Sequence, residues 1–378
     1  MLLNKDVSIV SIIYVFLKIS FTAFGGHAAH LAMMEEEVVK RRKWMDHQDF
    51  LDIISAANLI PGPNSTETAL HIGYKLRSWA GFFAAGLSFI LPTILIVTGV
   101  AIAYVKYGKL AAFENILLCI KPVIMAVISL AIYRFSKSAV KNKFLFIMLC
   151  LASLASFFKI TEIIVILVTG LLVMLIQSRK PFTPSFLPIN FINEIFTHSV
   201  SCTMSCDLNA IFLFFFKVSS IIFGSGYVLY AFLYNDLVVN YGWINQTQLI
   251  DAIAIGQFTP GPVFTAATFI GYLLAGVPGA LVASLAIFLP AFIYVAISSP
   301  FLGKMRESKY LAHFLDGVNV ASLGLMLVVC LSLAQNILSS AFSIVFFFIN
   351  LLILLRFKIN SAWLILLALA LGLIMCYV

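Results

Sequence analysis

The feature that most restricts how this chain folds is an internal repeat, in which the second half restates the first. Residues 199 positions apart match in type and order: Lys18 and Lys217, Trp44 and Trp243, Pro61-Gly62-Pro63 and Pro260-Gly261-Pro262. After one slip the separation becomes 198, as for Gly73 and Gly271. We call this separation the repeat offset. Matches in one order over such a length indicate two similar units. We predict a first repeat at 1–178, a cytoplasmic linker at 179–207 and a second repeat at 208–378.

Each half contains several long apolar segments. They fall near 8–26, 80–105, 114–134, 144–158 and 163–177, and again near 209–233, 279–299, 313–336, 341–355 and 361–378. A bilayer core about 30 Å thick is crossed by about 20 helical residues. The chain is 62% hydrophobic and 11% charged, whereas soluble domains are about 25% charged. These segments therefore predict an all-α membrane protein with about five transmembrane helices per half.

Two further apolar segments, 49–76 and 248–275, are each interrupted by one of the Pro-Gly-Pro triplets. Proline removes a backbone donor and clashes with the preceding turn, so the helix must break there. Each remaining arm has about a dozen residues, or about 18 Å of helix, which is too short to cross a bilayer. We therefore predict a re-entrant hairpin of two half-helices in each repeat.

An odd number of crossings per half places the second repeat upside down relative to the first. Cytoplasmic loops are rich in Lys and Arg, so we assign the basic run at 40–43 to the inside. The outside then receives only Lys5, Lys106, Lys109 and Lys159. If the triplet segments spanned the membrane instead, the basic loop at 134–143 would move outside. The charge pattern therefore favours two inverted-topology repeats, each with one re-entrant hairpin.

Broken helices in inverted repeats are typical of secondary transporters, where the substrate binds at half-helix ends. A helix N-terminus carries free N–H groups and a partial positive charge, which suits an anion. The predicted substrate-binding residues beside the two triplets are polar: Asn64, Ser65 and Thr66 in the first half, and Gln257, Thr259 and Thr265 in the second. The alternative is that each triplet only kinks a structural helix.

Three lysines lie inside apolar segments: Lys18, Lys121 and Lys217. A charge there costs at least about 3 kcal/mol unless it is paired or hydrated. A bound dianion would offset that cost, so we predict that these lysines also bind the substrate. The alternative is that their side chains reach the membrane interface. Lys121 aligns with Asn319, so that position differs between the halves.

Four titratable residues are candidates for coupling transport to an ion gradient: Glu67, Asp52, Asp251 and His27. Glu67 follows the first triplet, and its counterpart region is Ala266-Ala267. It is expected either to carry a proton or to pair with a lysine. Asp52 and Asp251 are expected to begin the first arms, where the helix dipole would stabilise them.

The first helix of each half ends in small residues, Phe24-Gly25-Gly26-His27 and Phe223-Gly224-Ser225-Gly226. We predict that Gly25, Gly26, Gly224, Ser225 and Gly226 approach the substrate, with close helix packing as the alternative. The linker holds a further set, His198, Cys202 and Cys206. Their spacing would place them on one helix face, but a fourth ligand is missing, so we predict no metal and no cofactor.

Taken as strings, Phe24-Gly25-Gly26 and Asn58-Leu59-Ile60-Pro61-Gly62-Pro63-Asn64-Ser65-Thr66-Glu67 resemble the first-half signature of the chromate ion transporter family. Gly256-Gln257-Phe258-Thr259-Pro260-Gly261-Pro262 resembles its second-half signature. The chain is similar to the long, two-domain form. His27 departs from the pattern, in which Pro follows the Gly pair. The resemblance implies export of chromate from the bacterial cytoplasm across the inner membrane, driven by the proton gradient or the membrane potential.

The predicted mechanism is alternating access around a central oxyanion site. The expected partners are a chromate or sulfate ion and the lipid bilayer, with a homodimer as an open alternative and no nucleic acid. A second interpretation is an importer or exchanger of sulfate or another tetrahedral oxyanion. An enzyme is not expected, because the sequence has no H-E-x-x-H motif and its six histidines form no recognisable array.

Overall fold

The computed structural model describes residues 7–23, 26–107, 111–158, 160–177, 206–223, 226–299, 308–357 and 361–374. Within these ranges every regular element is a helix, in agreement with the all-α prediction. Gly25, Gly224, Ser225, His198 and Cys202 lie outside the described residues. Cys206 is described and is exposed to solvent.

The first half contains seven α-helices among its described residues. In chain order they are α1 (Ile9–Thr22), α2 (His27–Glu35), α3 (His47–Ala57), α4 (Asn64–Tyr107), α5 (Ala111–Ala139), α6 (Lys143–Phe157) and α7 (Glu162–Gln177). A π-helical turn, Glu36–Arg41, continues α2.

The described part of the second half repeats this order. Its helices are α8 (Leu208–Ile221), α9 (Leu229–Phe232), α10 (Gln246–Phe258), α11 (Ala266–Ser298), α12 (Lys309–Ile337), α13 (Ala341–Phe357) and α14 (Ser361–Ile374). A 3-10 turn, Gly226–Val228, precedes α9, and a π-helical turn, Leu233–Asn240, follows it. A second 3-10 turn, Val263–Thr265, precedes α11.

Helices α4 and α11 each reverse direction at the same repeat position. Ser78 has φ 52° and ψ −139°, and its counterpart Gly276 has φ 63° and ψ −150°. We therefore divide α4 into α4a (64–76) and α4b (79–107), and α11 into α11a (266–274) and α11b (277–298). A side chain on Gly73 or Gly271 would collide with the backbone of Gly81 or Gly279 respectively. These glycines allow the two segments of each helix to pack at close range.

Helices α3 and α4a form an antiparallel hairpin around the first triplet. At the turn of the hairpin, residues 58–67, which we call the first tip, Asn64 Nδ2 donates to Asn58 Oδ1 at 2.6 Å. At the base, Lys75 Nζ lies 2.5 Å from Asp49 Oδ1, so the start of α3 and the end of α4a are adjacent. The re-entrant placement of this hairpin in a bilayer, and the inverted orientation of the repeats, stay predictions.

The two halves interlock in one shared hydrophobic core. Helix α5 packs against α13 and α14 of the second half, and α12 packs reciprocally against α6 and α7 of the first. Helices α4 and α11 also pack against each other. Because each half supplies the packing partners of the other, the core is completed only when both repeats are present.

The lengths of the helices and the apolar side chains on the outside of the bundle fit a bilayer. By length and composition four stretches of the described residues can cross one: Asn64–Tyr107, Leu118–Ala139, Val263–Ser298 and Tyr310–Gln335. The six shorter apolar helices have 10–17 residues. Each of these ten elements overlaps one of the ten predicted spanning segments. Helices α1 and α8 end at Thr22 and Ile221, short of the predicted ends at 26 and 233. Large apolar side chains such as Leu95, Phe146 and Leu352 are more than half exposed on the outside of the bundle, where lipid would cover them.

Candidate functional site

Each triplet hydrogen-bonds through its backbone to the end of the first helix in the opposite half. The Gly62 N–H donates to the carbonyl oxygen of Ile222 at 2.8 Å, and the Gly261 N–H donates to that of Ala23 at 3.3 Å. Ile222 ends the first helix of the second half, and Ala23 ends that of the first half. The donors and the acceptors of the two bonds are each separated by the repeat offset. The backbone at each helix break is therefore hydrogen-bonded to the opposite half.

Both triplet glycines adopt backbone conformations that L-amino acids avoid. Gly62 has φ 133° and Gly261 has φ 104°. A Cβ on Gly261 would collide with the Thr93 side chain, and a Cβ on Gly62 would meet a carboxylate oxygen of Glu67. Glycine is therefore required at both turns for torsion, and at Gly261 also for space.

Two helix N-termini converge on Ser65 in the first half. Helix α2 begins at His27 directly after Gly26, which has φ 77° and provides no side-chain cap. The Ser65 hydroxyl lies 2.9 Å from Nδ1 of His27 and 3.3 Å from Nδ1 of His30. In the first turn of α4a the Thr66 and Glu67 amides donate to the Pro63 carbonyl, at 2.7 and 3.2 Å, which leaves the Asn64 and Ser65 amides without an acceptor inside the helix. This arrangement gives the first tip a positive potential.

The first tip also concentrates buried polar atoms that lack a protein partner. They are Nε2 of His30, Oδ1 of Asn64, Oγ1 of Thr66 and both carboxylate oxygens of Glu67. All four residues are buried. Desolvating a polar group without a hydrogen bond is costly, so such a cluster indicates a site that binds a polar ligand or ions.

The corresponding turn of the second half, residues 257–266, which we call the second tip, is more apolar. Fewer of its described polar atoms lack a hydrogen-bond partner. The hydroxyls of Thr259 and Thr265 donate to the carbonyls of Ile255 and Pro262, both at 2.8 Å. Phe264 occupies the position equivalent to Ser65, and its ring lies 3.2 Å from where a Cβ would stand on Gly226. Gln257 Nε2 donates to the Tyr230 hydroxyl at 3.2 Å, and its Oε1 has no partner. The two tips are therefore chemically unequal.

Lys18 and Lys217 form equivalent ion pairs within their own halves. Lys18 Nζ lies 2.5 Å from Glu37 Oε1, and Lys217 Nζ lies 3.9 Å from Asp236 Oδ2. The acids are separated by the repeat offset, like the lysines. In each pair the lysine is the more exposed partner, at 34% against 6% and at 44% against 10%. Sequence reasoning missed both acids. The repeat offset shows an acid at both positions, but not that it pairs with the lysine.

Lys121 and Asp251 connect the two halves. Lys121 Nζ lies 3.5 Å from Asp251 Oδ1, and the Tyr104 hydroxyl donates to Asp251 Oδ2 at 2.7 Å. Asp251 is 1% exposed. Its counterpart Asp52 is partly exposed and accepts a bond from Gln48 at 3.0 Å.

The prediction that Asp52 and Asp251 begin the first arms is wrong. Helices α3 and α10 begin at His47 and Gln246, after the caps Asp46 and Asn245. Both cap side chains accept bonds from first-turn amides, at 2.7 and 2.8 Å. The helix starts where such a cap is available, and this leaves Asp52 and Asp251 in the second turn.

The fold and this site define the chain as a multi-pass membrane protein built from two interlocked repeats. Its sequence matches the chromate transporter family over residues 10–174 and again over residues 209–373. The two matches are separated by the repeat offset and cover most of the chain. The protein therefore belongs to the chromate transporter family. It is a transporter and not an enzyme.

Relatives from three organisms match most of the chain. It is 31% identical to a probable chromate transport protein of Synechococcus elongatus, over 82% of this chain and 80% of the relative. It is 29% identical to the chromate transport protein of Cupriavidus metallidurans, over 91% and 87%. An uncharacterised transporter of Methanocaldococcus jannaschii is 27% identical, over 98% and 95%. No solved structure matches the chain.

Proposed function

We propose that this protein exports chromate across the bacterial inner membrane by alternating access, driven by the proton gradient or the membrane potential. The observation that carries the proposal is the buried first tip. Two helix N-termini converge there on Ser65, among polar atoms that lack protein partners. Relatives named as chromate transport proteins indicate the substrate.

The chemistry of the first tip suits a tetrahedral dianion. Chromate offers four oxygens that accept hydrogen bonds, and free first-turn amides supply donors together with a positive dipole. Asn64, Ser65 and Thr66 would bind it from the first half. From the second half and the helix ends the binding residues would be Gln257, Thr259, Thr265, Gly25, Gly26, Gly224, Ser225 and Gly226.

The reciprocal contacts between halves support alternating access. Gly62 bonds to Ile222 and Gly261 bonds to Ala23, as a two-fold relation between the repeats requires. With that axis in the membrane plane, the repeats are inverted and rocking them exposes one site to either side. The ion pair between Lys75 and Asp49 supports placing the base of the first hairpin on the same side as the basic run at 40–43.

Glu67 is the proposed coupling residue, assisted by His27. The Glu67 carboxylate is fully buried, two residues after Ser65, and has no hydrogen-bond partner. An ionised carboxylate and a dianion at one tip would repel each other. Asp251 and Asp52 are the other proposed coupling residues, on the second and the first hairpin respectively.

An importer or exchanger of sulfate is the alternative, because sulfate has the same charge and shape. Everted membrane vesicles with labelled chromate or labelled sulfate distinguish the two functions. We expect chromate to accumulate inside everted vesicles, which corresponds to export from the cell, and an imposed membrane potential or pH gradient to increase its rate. Sulfate movement in the opposite direction, with no chromate flux, would favour the alternative.

Replacing Lys18 or Lys217 with alanine tests whether these lysines also face the anion. The exposed side of each pair carries the positive charge, so we expect transport to fall about tenfold or more at unchanged expression, equivalent to about 1.4 kcal/mol. The measurement is chromate flux in vesicles. Asp236→Asn is the matched control for Lys217→Ala, because it keeps the lysine and removes its carboxylate partner. Equal losses in Lys217→Ala and Asp236→Asn would show a structural pair instead of a ligand.

A further inference from the structure

Helix α4a carries a second buried titratable residue one turn beyond Glu67. Residues four apart lie on the same helix face, so His71 follows Glu67 along that face. Glu67 is fully buried and His71 is 2% exposed. Neither carboxylate oxygen of Glu67 has a partner, and neither does Nε2 of His71. Two buried groups with unused hydrogen-bonding capacity are therefore neighbours.

The hydrogen bonds of Ser299 fix the tautomer of His71. The Ser299 hydroxyl donates its single hydrogen to the Val295 carbonyl at 2.6 Å. It also lies 3.2 Å from His71 Nδ1 and can therefore only accept there. Nδ1 must carry the imidazole hydrogen, and Nε2 is then a bare acceptor. The ionised Glu67 carboxylate and Nε2 of His71 are therefore both hydrogen-bond acceptors, and neither can donate to the other.

We propose that Glu67 and His71 form a proton-binding site that is loaded when the oxyanion occupies the first tip. A single proton held between the carboxylate and Nε2 gives both groups a partner. In the structure Glu67 Oε1 is directed at Gly62, beside the anion site. An arriving dianion repels the ionised carboxylate, which turns toward His71 and takes up the proton. The proton comes from water and is returned to water when the anion leaves. The inference rests on the proposed function of the tip. Because the proton leaves together with the dianion, the inference assigns the driving force for export to the membrane potential and not to the proton gradient.

The other described groups that face this pair are neutral or already paired. On α4a itself, Lys75 is bound to Asp49 of α3 at 2.5 Å. From α11b, Tyr294 donates its hydroxyl to the Ser220 carbonyl at 3.4 Å, and Ser298 is buried without a partner. From α2, His27 and His30 each lie within hydrogen-bonding distance of Ser65. Because none of these groups offers the pair a free positive charge, a proton is the ligand that the pair requires.

The equivalent position in the second half is apolar. Ala266-Ala267 corresponds to Glu67, Phe269 to His71, and Val100 and Ala101 to Ser298 and Ser299. Phe269 is fully buried and packs edge to face on Tyr104, at 5.1 Å between ring centroids. An aromatic ring therefore fills this position in a packed core. The proposed proton site belongs to the first repeat, and phenylalanine is the substitution expected to keep the packing at position 71.

The test uses the full-length protein in liposomes that contain a pH-sensitive dye. Labelled anion exchange, with chromate or sulfate on both sides, requires no net proton movement. Net anion flux down a gradient requires net proton movement, at about one proton per anion in the wild type. We expect His71→Phe to keep exchange within about threefold and to lower the protons moved per anion about tenfold, as removal of a proton-carrying residue would. His47→Gln is the control, because His47 is exposed at the start of α3.

The outcomes separate this inference from the proposed function. A wild-type ratio of protons to anions in His71→Phe would overturn the proton site and leave the transporter intact. Loss of exchange in His71→Phe at normal folding would also overturn it, since His71 would then belong to the anion site. Wild-type protein that exchanges neither chromate nor sulfate would contradict the proposed function, and the proton site with it.

Discussion

Replacing Gly261 with alanine is expected to abolish transport and to reduce the amount of folded protein in the membrane. Its φ of 104° lies in a region that costs an L-residue about 1–3 kcal/mol. The new methyl group would also collide with the Thr93 side chain, which is fully buried. The tip would have to shift, and the bond from the Gly261 N–H to Ala23 would be lost. The measurement is chromate flux alongside detergent-solubilised yield.

Two further glycines separate torsional strain from steric collision. Gly242 has φ 62° and open space where a Cβ would stand, so Gly242→Ala adds strain alone and should keep most transport. In Gly62→Ala the methyl group meets only the end of the Glu67 side chain, which can turn aside. We expect losses in the order Gly261, Gly62, Gly242. A Gly261→Ala protein with wild-type flux would show that the second tip does not need its observed geometry.

Replacing Asp251 with alanine is the other change expected to have a large effect. It would leave Lys121 without its carboxylate in the interior of the bundle, where breaking a buried ion pair costs about 3–5 kcal/mol. Tyr104 would lose its acceptor as well. We expect thermal unfolding in detergent at a clearly lower temperature, together with loss of transport. Asp52→Ala, at the partly exposed counterpart, should lower the unfolding temperature much less.

A double substitution distinguishes stability from a role in substrate binding. Lys121→Met with Asp251→Leu removes both charges, and an apolar pair of similar volume is often as stable as a buried ion pair. We expect this protein to recover the melting temperature lost in Asp251→Ala. If Lys121 is also a substrate ligand, as predicted, the recovered protein stays inactive. Recovery of both stability and flux would show that the pair only holds α10 against α5.

The helices and their order were predictable because they depend on local sequence. Apolar runs of bilayer length set α4b, α5, α11b and α12, and the triplets ended α3 and α10 where proline forbids a helix. The boundaries that failed were those set by caps. Asp46 and Asn245 start helices because their side chains find first-turn amides, and the apolar pattern does not contain that information.

The polar cluster at the first tip was predictable only in part. Asn64, Ser65, Thr66 and Glu67 follow a triplet, so the motif itself indicated them. His30 and His71 gave no such signal. Their significance comes from Ser65, 35 residues from His30, and from Ser299, 228 residues from His71. Such partners are brought together by packing between elements that are distant in the chain.

The sequence by itself determined that this chain is a helical membrane protein of two repeats with two broken helices, because apolar length, proline chemistry and the repeat offset are local properties. Only the tertiary structure decided which half holds which break, which acids pair with Lys18, Lys121 and Lys217, and why the two tips differ. The physical reason is that these contacts join the two halves or distant turns, so their energies depend on how the repeats interlock and not on the order of neighbouring residues.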